Sequence, residues 1–139
     1  MSKVASLTCY FFILHFRRDR DMSEEILQLT EKLLQYNELF LKNYQAGRET
    51  GITHDFNEVI KPFVDEVKEI NDQWNRAIKE WLPKVDTQYL HLKQIDTTSS
   101  HIEQLSVQSF FPETSKSRFL NFHRAVEYVL SEVVRELRK

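Results

Sequence analysis

Apolar residues recur at helical spacing along most of this chain. From about Ser23 to Ala46, the residues Ile26, Leu29, Leu33, Tyr36, Phe40 and Tyr44 return at steps of three and four, which sets them on one face of a helix. Leu27, Leu34 and Leu41 widen that face, as burial inside a bundle requires. Asp21 or Ser23 is the expected cap of this helix and Gly47 its expected left-handed terminator. The second helix opens with "DFNE", where Asp55 caps and Glu58 answers from the third position. Its stripe is Phe56, Val59, Ile60, Phe63, Val67, Ile70, Trp74, Ala77 and Trp81. Pro62 falls inside the pattern and removes a backbone donor, so the spacing predicts a short turn at 55–60 and a restart at Pro62. Pro83 stops the element.

After a linker, "KVDTQYLH", a third helix is expected from near His91 to about Phe110, with a weaker stripe of Ile95, Ile102, Leu105 and Phe110. The "TTSS" in its middle costs a few tenths of a kcal/mol per residue relative to alanine. Pro112 breaks this helix, and Ser115 caps a last one that carries Phe119, Phe122, Val126, Val129, Val133 and Leu137. Short connections make sequential helices antiparallel. The fold class read from this pattern is all-α, an antiparallel up-and-down four-helix bundle.

Composition agrees. Of 139 residues only two are Gly and three Pro, too few for the frequent turns of a sandwich or barrel. The formal charge of −2 provides no electrostatic footprint for nucleic acid or an anionic membrane. The one cysteine, Cys9, has no intramolecular disulfide partner, which fits a cytoplasmic location.

Residues 1–21 differ from the rest. "VASLTCYFFILHF", Val4 to Phe16, is too short to cross a bilayer, which takes about 20 apolar residues. Its arginines follow the apolar run instead of preceding it, unlike a secretory signal. We expect an N-terminal extension at 1–21, a start called too early with Met22 as the natural one, and a single bundle domain at 22–139. Residues 1–21 hold four basic and two acidic residues, so the bundle alone carries a net charge of −4.

The chemistry these residues permit is limited. A di-iron bundle needs Glu-x-x-His on two helices, and that motif is absent, as are two histidines four apart. His123 and Glu127 lie one turn apart and can share an ion, although such pairs are more often solvated helix-face contacts. There is no Gly-x-Ser-x-Gly elbow, and two glycines cannot build a phosphate-cradling loop. The expectation is therefore no enzyme, no cofactor and no metal. The polar residues that stand out are Tyr89, His91 and Gln94 at one end of the bundle, and Gln108, Lys116 and Arg118 at the other. A 20-residue helix spans about 30 Å, so the two groups do not form one site. Each is expected to fix a loop or to meet a partner, with Arg118 closing its turn over helix-end carbonyls.

"YLHLKQI", "LSVQSF" and "KSRF" at this spacing, with "HDFNEVIKP" upstream, resemble the YppE-like family of small proteins from Gram-positive bacilli. The similarity runs from about Met22 to Lys139 and includes His54, Asp55, Pro62, Tyr89, His91, Gln94, Gln108, Lys116 and Arg118. "TTSS", Pro112 and Ser117 depart from the pattern. The resemblance implies a compact four-helix bundle in the cytoplasm and assigns no activity. The function expected is a non-enzymatic helical interaction module for a protein partner. The alternative is a small-molecule or metal-binding bundle using Tyr89, His91 and Gln94 or a pocket between helices.

Overall fold

The computed structural model describes residues 18–85, 87 and 89–139, with side chains from Met22 onward. Cys9, the apolar run at Val4–Phe16 and most of the expected extension lie outside the described residues. Among the described residues four α-helices follow in order: α1 (Arg18–Thr50), α2 (Lys61–Trp81), α3 (Leu92–Gln108) and α4 (Lys116–Leu137). They form an antiparallel up-and-down bundle. α1 packs beside α2 and α4, α3 closes the ring against the same two, and α1 faces α3 across the diagonal.

The stripes explain this packing. Ile26, Leu33, Phe40, Tyr44, Val67, Trp74, Ile78, Ile95, Ile102, Leu105, Phe119, Val126 and Val133 share one buried cluster. Both tryptophans belong to it, and Leu27, Leu34 and Leu41 sit at its margin or half-buried beside it. Aromatic edges fill the corner between α1 and α2, where the Phe63 ring meets the Tyr36 and Phe40 rings at 5.9 and 6.0 Å.

Three boundaries differ from the sequence expectation. Arg18 is already helical, so Asp21 and Ser23 lie within α1 and not at its N-cap. It also runs through Gly47 to Thr50, and Gly51 takes the left-handed conformation at φ 68°. A Cβ at Gly47 would stand 3.6 Å from Pro112, so this glycine sits against the third connection without ending the helix. α3 stops at Gln108, leaving Phe110 in the turn yet still buried.

The restart before Pro62 takes the form of a π turn, Phe56–Ile60, capped by Asp55, whose carboxylate accepts from the Glu58 N–H at 2.7 Å. Pro62 then falls in the first turn of α2, where its missing N–H costs nothing. Hydrogen bonds from i to i+5 slow the rotation per residue, so the α-helical stripe does not extend back through this turn. Phe56 and Val59, expected in the core, are accordingly exposed, and only Ile60 is buried.

"TTSS" is helical because other bonds support it. The Thr97 and Thr98 hydroxyls donate to the carbonyls of Lys93 and Gln94. Asn71 of α2 donates to the Ser99 carbonyl at 2.9 Å, and Asn75 to the Ser99 hydroxyl at 2.8 Å. Small side chains let α3 approach α2 closely enough for these contacts.

Candidate functional site

At the end of the bundle where α3 begins, His91 is the N-cap residue, and its backbone N–H donates to the Gln94 side chain at 3.3 Å. This is half of a capping box, with the glutamine supplying the acceptor. Gln94 is half-buried and His91 exposed. Tyr89 lies outside this arrangement. It is exposed in the linker, with its backbone N–H on the Thr87 hydroxyl.

His91 and Gln94 also line a groove of about 600 Å³ between α3 and α4. Lys93, Thr97 and His101 continue its α3 wall; Ala125, Tyr128 and Val129 form the α4 side. Val129 is buried and Tyr128 is 57% exposed, so the groove has an apolar floor and an open mouth. His101 stacks on Phe122 of α4 at 4.2 Å, with the rings 15° apart. Desolvation there pushes the His101 imidazole below its usual range, favouring the neutral ring.

At the opposite end the expected loop-fixing residues behave differently. Gln108 Oε1 is buried without a hydrogen-bond partner among the described residues. Lys116 and Arg118 are exposed at the start of α4; Arg118 contributes its backbone N–H to the Ser115 cap at 3.5 Å. The turn is held from α1 instead. Arg48 donates to the Pro112 carbonyl at 2.9 Å and to the Tyr44 hydroxyl at 3.1 Å, and Tyr44 donates to the Thr114 carbonyl. The Tyr44 ring also stacks on Phe119 at 4.1 Å. Tyr44 carries only a core signature and Arg48 lies past the expected end of the first helix, because only the folded bundle sets the end of α1 against the third connection.

A third cluster joins α1 to α4. One ligand atom each from Glu38, His123 and Glu127 lies within 4.8 Å of the others. The His123 side chain is only 6% exposed, with Nε2 3.8 Å from a Glu127 oxygen. The i to i+4 spacing of His123 and Glu127 was visible in the sequence; Glu38 was not. Among the described residues no helix is long and apolar enough to cross a membrane.

Known proteins agree with this architecture. The chain is 29% identical over 116 residues to the uncharacterised protein YppE of Bacillus subtilis, covering 84% of this chain and 94% of that one. The YppE crystal structure superposes with a TM-score of 0.80 over the same shares of each chain. A Listeria innocua protein of unknown function gives 0.81 at 28% identity, covering 84% of this chain and 94% of its own. A Staphylococcus aureus structure of 22% identity shares the fold, with a TM-score of 0.75, and covers 82% of this chain and 96% of its own. With residues 30–137 matching the family model, the chain belongs to the bacterial domain of unknown function DUF1798, the family that includes YppE.

Proposed function

We propose that this chain is a non-enzymatic helical interaction module that receives an amphipathic helix of a partner protein between α3 and α4. The supporting observation is the groove itself, which has an apolar floor at Ala125 and Val129, the exposed ring of Tyr128, and an open mouth. A small-molecule site is usually more enclosed, with polar groups converging on one point. An open trough between two antiparallel helices suits a third helix laid along it. Lys93 on the α3 wall favours a partner with an acidic residue on that side. The non-enzymatic part of the reading rests on the sequence, which carries no elbow, phosphate loop or Glu-x-x-His pair. A cytoplasmic setting belongs to the same proposal.

The test places a photo-crosslinking residue at Ala125, or outside the groove at the exposed Gln45 of α1, in the full chain expressed in its host. A protein captured from Ala125 and not from Gln45 is then purified and titrated directly. Binding weakened at least tenfold by Ala125→Arg supports the reading. Equal capture from both faces, or binding indifferent to that substitution, overturns it.

A further inference from the structure

The cluster on the α1–α4 face lies apart from the groove and carries a separate conclusion. We propose that Glu38, His123 and Glu127 form a binding site for one divalent transition-metal ion of the zinc class. The imidazole supplies Nε2, each carboxylate supplies one oxygen, and water completes the coordination.

The donor set selects the metal. One nitrogen and two carboxylates suit Zn²⁺ and its neighbours, whereas Ca²⁺ and Mg²⁺ take oxygen alone. Three protein ligands and an open position are the arrangement of zinc sites that keep an exchangeable water. The ligand atoms lie within 4.8 Å of one another, and a tetrahedral site with bonds of about 2.1 Å needs them about 3.4 Å apart. Glu38 and Glu127 are exposed, so side-chain rotation closes that gap without moving a helix.

His123 makes the cluster more than an acidic surface patch. Its ring is nearly buried, Nδ1 has no partner, and the contact of Nε2 with Glu127 is too long for a hydrogen bond. Nδ1 is the buried nitrogen left without a partner, which is unusual because buried polar groups are normally satisfied, while Nε2 is the nitrogen that faces the carboxylates. Metal coordination would satisfy Nε2. The backbone is already fixed at this level, because Asn37, next to Glu38, donates its amide to the His123 carbonyl at 3.1 Å. Neither Glu38 nor Glu127 has a Lys or Arg partner among the described residues, so no side-chain cation offsets the two facing carboxylates.

The experiment is calorimetric titration of the chelator-stripped full chain with Zn²⁺, with Co²⁺ absorption as the readout of coordination geometry. One ion per chain is expected. Glu38→Gln and Glu127→Gln, each folded by circular dichroism, should weaken binding at least tenfold and shift the Co²⁺ spectrum. His54→Ala, at an exposed histidine outside the cluster, should leave both unchanged. Absence of one-to-one binding, or binding that both glutamine variants leave within twofold, overturns the assignment.

Discussion

Replacing Thr30 with valine tests how the core joins α1 to α2. Thr30 and Trp74 are both fully buried; the indole Nε1–H donates to the Thr30 hydroxyl at 3.0 Å, and that hydroxyl donates to the Ile26 carbonyl at 2.6 Å. Valine keeps the shape but removes the acceptor, which leaves a buried indole N–H unpaired at a cost of about 1–3 kcal/mol. The added methyl offsets less than about 0.8 kcal/mol. The net loss should be about 1–2 kcal/mol, a large share of the roughly 5–15 kcal/mol that holds a domain folded. In a Trp74→Phe background there is no N–H to orphan, so the same change should be close to neutral. Urea unfolding of the four proteins of this cycle, followed by far-UV circular dichroism, gives the coupling directly. A Thr30→Val cost below about 0.5 kcal/mol, or one equal in the two backgrounds, would refute the assignment of that energy to the hydrogen bond.

Three further outcomes are expected. Gly47→Ala should stabilise the protein by about 0.5–1 kcal/mol, because the new methyl meets Pro112 at ordinary contact distance within a helix, whereas Gly51→Ala should destabilise it by about 1 kcal/mol through its positive φ; paired urea midpoints show the opposite signs. Arg48→Ala should loosen the third connection, seen as faster hydrogen exchange at residues 110–115 with little change in the bundle core. The depressed His101 imidazole contributes stability that is present above its unfolded value of 6.5 and is lost as pH falls through the folded value. His101→Phe should therefore flatten the decline in urea midpoint below pH 6.5, and an unchanged slope would count against desolvation at that ring.

Much of the fold was legible because helix burial is periodic. Every residue of the α1 stripe from Ile26 to Tyr44 is buried, as are the α3 residues Ile95, Ile102 and Leu105. Pro62 and Asp55 marked the restart of the second helix, since a missing N–H and a capping carboxylate act locally. The errors fell where local rules compete with packing. Gly47 carries a terminator's signature, yet α1 passes through it because one more turn places Arg48 on the third connection. Phe56 and Val59 matched the stripe, but the π turn carries both to the surface.

The candidate sites were less legible, for a different reason. His91 and Gln94 share a local cap, so their association could be read from spacing. The groove they border also needs Ala125 and Tyr128, which are more than thirty positions away on α4. Glu38 is likewise 85 positions from His123, in a run where nothing distinguishes it from other exposed glutamates. The sequence by itself determined the helices, their order and most of the core, because those depend on spacing within a few turns. Only the tertiary structure decided which polar residues meet, because that depends on the rotation and register of one packed helix against another.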